Sequence, residues 1–223
     1  MRNNYDTIAP YYDVLSRLVF FRAQLKAQIP QLRFIPANSH VLIVGGGTGW
    51  ILEEIAKLHP AGLIITYVEI SAKMLDLSRK RDVKRNAVTY IHSSAEDFKP
   101  AKKRLKTAAK YSDTDLKYDV ILTAFLFDNF NIEKIDFVFN KLNGMLHSGG
   151  YWLFCDFYYN KDSGRTWKWY LLKTMYLFFN KISAVEASEL INTERNFEAA
   201  HFIPVKIAHY YSGFIKSITY KKP

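Results

Sequence analysis

The sequence predicts a doubly wound α/β fold, a seven-stranded and mostly parallel sheet that ends in an antiparallel hairpin. Three observations predict it: short aliphatic runs alternate with amphipathic helical patterns, a glycine-rich turn follows the first run, and two β-rich runs close the chain. Parallel strands need a crossover of a dozen or so residues and apolar cover on both faces, and the alternation supplies both.

The elements follow in order. Asp13 to Leu32 carries Val14, Leu15, Leu18, Val19, Phe21 and Leu25 at near-helical spacing before Pro30 and Pro36, and so predicts a leading helix. His40-Val-Leu-Ile-Val-Gly45 is a buried strand cut off by glycine, and Trp50 to Leu58 is a helix with Ile51, Leu52, Ile55 and Leu58 on one face. A second strand, Leu63 to Val68, leads to a helix over Ser71 to Arg81. Val88 to Ile91, Tyr118 to Thr123 and Tyr151 to Phe157 are the next strands, with a helix from Ile132 to Leu146 between the last two. A helix over Ala184 to Ala200 then precedes Phe202 to Tyr211 and Phe214 to Tyr220, a hairpin joined by Ser212-Gly213.

Composition bounds the function. With 223 residues, 49% hydrophobic and 23% charged, the chain has ordinary globular usage, and residues 1–223 read as one domain with an N-terminal helical cap over 1–36. Cys155 is the only cysteine, which excludes an internal disulfide framework and a cysteine-built zinc site. The opening MRNNYDTIAP has no apolar run beside positive charge, and no uncharged apolar run is long enough to span a bilayer, so a cytoplasmic location is expected. The net charge of +10 favours anionic partners without choosing among them. None of the six histidines has ligand spacing, and no metal site is expected.

Gly45-Gly-Gly47-Thr-Gly49 lies between a buried strand and a helix, where bare backbone can approach a ligand. A dinucleotide fingerprint would place its last glycine at Trp50, and no phosphate-loop lysine follows. Glu69 comes 20 residues after Gly49, at the end of the second strand, where an acid can take both hydroxyls of a ribose.

On these residues the chain resembles the class I S-adenosylmethionine-dependent methyltransferases, with a Rossmann-like sheet. Their first motif is similar to Val41-Leu-Ile-Val-Gly-Gly-Gly-Thr-Gly49 and their second to Val68-Glu-Ile-Ser-Ala-Lys-Met74. The start, Tyr5-Asp-Thr-Ile-Ala-Pro-Tyr-Tyr12-Asp13, resembles the F-D-x-x-A-x-x-Y-D opening of the branch that contains the ubiquinone and menaquinone biosynthesis methyltransferases. The resemblance implies S-adenosylmethionine as methyl donor and S-adenosylhomocysteine as product. It further implies that Gly45, Gly47 and Gly49 line the methionine part, Glu69 holds the ribose, and Ile70 and Met74 flank the adenine. Thr123 and Ala124 would then sit near the sulfonium, and Tyr12 would close over the cofactor. The family's G-D-A element corresponds to Ser93-Ser94-Ala95-Glu96-Asp97, so Ser94 stands where an acid is usual, and either its hydroxyl or Asp97 would meet the adenine amino group.

The acceptor side should be built from the carboxyl ends of the strands, Phe125 to Phe130 and Asp156 to Tyr159. Asp128 is the first candidate base and Asp156 the second; helix capping is the competing role for each. Leu126-Phe-Asp-Asn-Phe130 does not resemble the D-P-P-Y element of methyltransferases that act on base amines. A small hydrophobic or aromatic acceptor is the leading reading. The alternative is a catalytically silent protein that binds RNA or an acidic partner through a basic loop.

Two segments stand out. Lys99 to Lys110 holds six Lys or Arg and no acid, and reads as an inserted loop or short helix, solvated or in contact with anionic lipid or phosphate. The 160–183 insertion carries a helix over Arg165 to Lys181 with a wide apolar face that includes Trp167, Trp169, Tyr170 and Leu172. Substrate lid, homodimer interface, contact with an anionic membrane surface and plain core packing all fit it.

Overall fold

A computed structural model describes residues 22–100, 102–106, 111–115, 117–159, 166–182 and 190–223. Its strands are β1 (His40–Val44), β2 (Ala61–Glu69), β3 (Arg85–His92), β4 (Lys102–Lys106), β5 (Tyr111–Asp115), β6 (Tyr118–Ala124), β7 (Leu146–Phe157), β8 (Ile203–Tyr210) and β9 (Ile215–Lys221). The helices are α1 (Ala23–Gln28), α2 (Trp50–Leu58), α3 (Ala72–Ser78), α4 (Ile132–Met145), α5 (Trp167–Ile182) and α6 (Glu194–Ala199).

Seven strands form one sheet in the order β3-β2-β1-β6-β7-β9-β8. The first five are parallel to their neighbours, and β9 joins β7 antiparallel, with β8 outside it. The strand order reverses between β1 and β6, so a crevice opens over the carboxyl ends of these strands.

Strand alternation sorts the core into two layers. Leu42 and Val44 face α4 and α6, meeting Ile135, Val138, Phe139, Trp152 and Phe197; Val41 and Ile43 face the other way, toward Ile51, Leu52 and Ile55 of α2. Aromatic rings fill the first layer: Phe139 stacks on Trp152 at 5.2 Å and Phe197 on Tyr220 at 4.0 Å. A third cluster joins α1 and Leu172 of α5 to Cys155, Phe157, Phe214 and Ile215 at the carboxyl end of β7.

Several expectations need correction. Within the described part of the leading segment the α-helix covers only Ala23–Gln28, and the chain then tightens into a 3-10 turn over Ile29–Phe34 that accommodates Pro30 near its start. The basic stretch is neither loop nor helix over Lys102–Lys106, which pairs antiparallel with Tyr111–Asp115; Lys102 stands opposite Asp115 and Arg104 opposite Asp113. The last helix starts at Glu194, not Ala184: the Asn192 side chain accepts the Glu194 N–H and residues 190–192 are non-helical, while 184–189 lie outside the described residues. The final hairpin turns through Tyr211–Phe214, with Tyr211, Ser212 and Gly213 all at positive φ, rather than through two residues.

Candidate active site

The glycine loop leaves β1 held from below. The Gly45 N–H donates to the Val68 carbonyl at 2.9 Å, so the turn starts against the end of β2. Gly45, Gly47 and Gly49 have φ of +71°, +64° and +80°, a region open to glycine at little cost. At Gly49 a Cβ would also lie 2.5 Å from the Cβ of Ser78, so α3 packs directly on the loop. At Gly47 a Cβ would meet nothing within 4 Å, so this residue faces open space.

Glu69 ends β2 beside that loop and is buried. Its Oε2 accepts the Gly47 N–H at 2.8 Å and its Oε1 the Ser71 N–H at 2.9 Å. Burial pushes its carboxyl up from the ordinary range, while the N–H groups of Ser71, Gly47 and Ile70 oppose that shift. A carboxylate has about four acceptor sites, so three backbone donors still leave acceptor capacity for a hydroxyl. Ser71 caps α3 by accepting the Met74 N–H at 3.2 Å. Met74 is buried and Ile70 is exposed at the surface. His92 bonds the Ile70 carbonyl at 2.9 Å.

At the end of β3, the Ser94 hydroxyl donates to Asp97 at 2.8 Å and accepts the Asp97 N–H at 3.1 Å. These two candidates for the adenine side are thus joined in one turn, with Asp97 exposed and Ala95 turned into the core. Thr123 is buried at the end of β6, where its Oγ1 accepts the Trp152 indole N–H at 2.9 Å. That hydroxyl is committed to the core, so from Thr123 only main chain can face the crevice, and Ala124 follows it half-buried. Tyr12 lies outside the described residues.

Asp128 and Asp156 come together. The Phe125 N–H donates to the Cys155 carbonyl at 2.8 Å, so the turn after β6 runs beside the end of β7. Asp128 lies in a 3-10 turn over Phe127–Asn129, half-buried, with the Asn129 side-chain amide donating to its Oδ1 at 2.8 Å. It does not cap the following helix; Asn131 does, accepting the Lys134 N–H at 2.9 Å. Asp156 is buried, accepts the Phe157 N–H at 2.8 Å, and takes further N–H bonds from Asp128 and Phe127, so it caps the 3-10 turn. Burial pushes Asp128 up to about 7, and burial together with the Asp128 charge holds Asp156 well above the carboxylate range. Like charges in one apolar place cannot both ionise easily, so the pair holds a proton near neutrality.

Around this pair lie Phe125, whose φ is +54° despite its bulk, and Phe157, with ring centroids 4.9 Å apart. Strain of this kind in a non-glycine residue collects at functional sites. The start of α5 packs here: Leu172 is buried, and Trp167 sits edge-on to Tyr211 at 5.5 Å. Among the described residues no group of three His, Cys, Asp or Glu could hold a metal ion, and no helix is long and apolar enough to cross a membrane.

Sequence reasoning missed the supports of the loop. Arg81 donates from Nε to the Thr48 carbonyl at 2.9 Å, and Tyr67 donates to the Gly47 carbonyl at 2.9 Å. Only the position of Tyr67, two residues before Glu69 and hence on the same strand face, could have signalled its role.

Comparison with known proteins agrees with this fold. Residues 42–152 match the family model of a methyltransferase domain. Over 80 residues the chain is 34% identical to a ubiquinone/menaquinone biosynthesis C-methyltransferase of Geotalea daltonii, and 36% identical to its counterpart in Geotalea uraniireducens. Each match spans 34% of this chain and 34% of the relative's length. Among solved structures, the N-methyltransferase NodS of Bradyrhizobium japonicum WM9 with S-adenosyl-L-homocysteine superposes with a TM-score of 0.63 at 13% identity, covering 91% of this chain and 88% of that one. The Burkholderia thailandensis 1,6-didemethyltoxoflavin-N1-methyltransferase gives 0.61 at 13% identity, covering 98% and 86%. The fold and the crevice over β1 and β6 define a Rossmann-like methyltransferase domain. Residues 42–152 carry a methyltransferase domain, and the chain is similar to S-adenosylmethionine-dependent methyltransferases of class I.

Proposed function

We propose that this chain transfers the methyl group of S-adenosylmethionine to a small hydrophobic or aromatic acceptor, acting as one domain over residues 1–223. The observation that carries the reading is the Glu69 carboxylate at the tip of β2, joined to Gly47 of a loop whose outer side is open. A buried acid with acceptor capacity left fits the ribose hydroxyls, and the bare Cα of Gly47 leaves room for the methionine tail. Met74 and Ile70 fit the two sides of an adenine, with Ser94 and Asp97 at its edge. Once bound, the donor supplies an already activated methyl on its sulfonium.

The chain's own task is then alignment and exclusion of water. Phe125, Phe157 and the start of α5 supply an apolar wall on the acceptor side, which favours the lid reading of the 160–183 insertion. Where the acceptor must lose a proton, Asp128 is the residue we assign to accept it, and its turn is capped by Asp156. The curated relatives named above are C-methyltransferases of quinone biosynthesis, and a quinone-type ring with an acidic hydroxyl fits such a wall and such a base. The lone buried thiol of Cys155 fits a reducing, cytoplasmic setting.

The alternative, a silent protein that binds RNA or an acidic partner through its basic stretch, predicts salt-dependent binding to RNA. Calorimetric titration with S-adenosylhomocysteine and with NADH tests the function without an acceptor. Binding of the first alone, weakened at least tenfold by Glu69→Ala, is the expected result. NADH preference, or equal affinity in the variant, would refute the assignment.

A further inference from the structure

Gly46 is the one glycine of the loop that the G-x-G-x-G spacing does not ask for. A Cβ on it would lie 2.3 Å from the ring carbons of Tyr67, so the Gly46 backbone rests against that ring. Beyond the ring, the Tyr67 hydroxyl donates to the Gly47 carbonyl at 2.9 Å. Two residues along the same strand face, Glu69 accepts the Gly47 N–H at 2.8 Å. Gly47 is therefore held through both of its polar backbone atoms by two side chains of β2, while the place of its missing Cβ stays open. Tyr67 has little freedom of its own: it is fully buried, and Tyr90 lies against it with ring centroids 5.6 Å apart.

We infer that Tyr67 is a positioning residue for the donor site: it presets the Gly46–Gly47 backbone, and through it the Glu69 carboxylate, for an adenosyl ligand. The inference rests on the functional reading above. A glycine-rich loop has the most conformational freedom to lose on binding, and a loop already held loses less of it at that moment. The hydroxyl bond is buried enough to matter, and its removal leaves the Gly47 carbonyl without its side-chain donor.

The test is Tyr67→Phe, which keeps the ring under Gly46 and removes only the hydroxyl. Affinity for S-adenosylhomocysteine is expected to fall about five- to tenfold, with the circular dichroism spectrum unchanged. In the double variant with Glu69→Gln the two losses should be less than additive, because both act through Gly47. Hydrogen exchange on the unaltered, ligand-free chain gives a second readout, in which the Gly47 amide should be protected well beyond an exposed loop. Should Tyr67→Phe bind as tightly as the unaltered chain, or the Gly47 amide exchange at once, the positioning role is overturned while the methyltransferase reading stands. Should the unaltered chain itself fail to bind S-adenosylhomocysteine, both fall together.

Discussion

At the scale of single residues, the site is a set of backbone atoms held by side chains from the neighbouring strand and helices. Gly49 shows how little room is left: with φ at +80° and Ser78 against its bare face, Gly49→Ala combines backbone strain with a clash. We expect it to cost about 2–3 kcal/mol, read as a shift in the urea midpoint at unchanged slope. Asp128 makes the opposite case. Its carboxyl, near 4 in an unfolded chain, is pushed up to about 7 by burial, so the folded state binds the proton more tightly. The sign follows from linkage: the stability this group lends is present below pH 4 and is lost as pH rises toward 7. Asp128→Asn removes a charge that the fold resists, and also relieves Asp156. The melting temperature at pH 8 should rise by about 3 °C, with little change at pH 4.5, in scanning calorimetry at the two pH values.

At the scale of elements, the helices that border the crevice are started by side chains rather than by propensity. Asn131 opens α4 and Ser71 opens α3, each accepting the N–H three residues on. Asn131→Ala should cost about 1 kcal/mol, a fall of roughly 2–4 °C in melting temperature, since an orphan N–H loses its acceptor. The loss should be confined to stability, because Asn131 is an exposed cap at the start of α4, outside the glycine loop. The antiparallel end of the sheet has a comparable division of labour. β9 is buried between β7 and β8 and carries Ile218 and Tyr220 into the aromatic layer, whereas β8 is the outer strand, with Ile203, Val205 and Ile207 exposed.

At the scale of the whole molecule, ligand and fold are linked. A ligand that binds only the folded chain stabilises it by mass action, about 2.7 kcal/mol at a hundredfold excess over its dissociation constant. For a chain of this size S-adenosylhomocysteine at that excess should raise the melting temperature by roughly 5–10 °C, and a fluorescence melt with Glu69→Ala as control checks it. An equal shift with NADH would point to nonspecific stabilisation.

Much of this molecule was legible in its order of residues. Five buried runs, the interposed helices and the closing hairpin are local periodicities, set by which side of a strand or helix must leave water, and they needed no tertiary information. The three positive-φ glycines and Glu69 were equally plain, because turn geometry and strand ends are read over a few residues. What the order of residues could not tell was which distant groups meet. The Tyr67 ring under Gly46, the Arg81 guanidinium on Thr48, the indole of Trp152 that draws Thr123 into the core, and Asp156 capping the turn that holds Asp128 all join residues far apart in the chain or in separate elements. The β4–β5 ladder belongs to the same class, for a run of cations reads as loop or helix until the backbone pairing of two separate segments shows it as strand. Local pattern decides what each segment becomes; only packing decides which polar atoms are spent on the fold and which are left for a ligand.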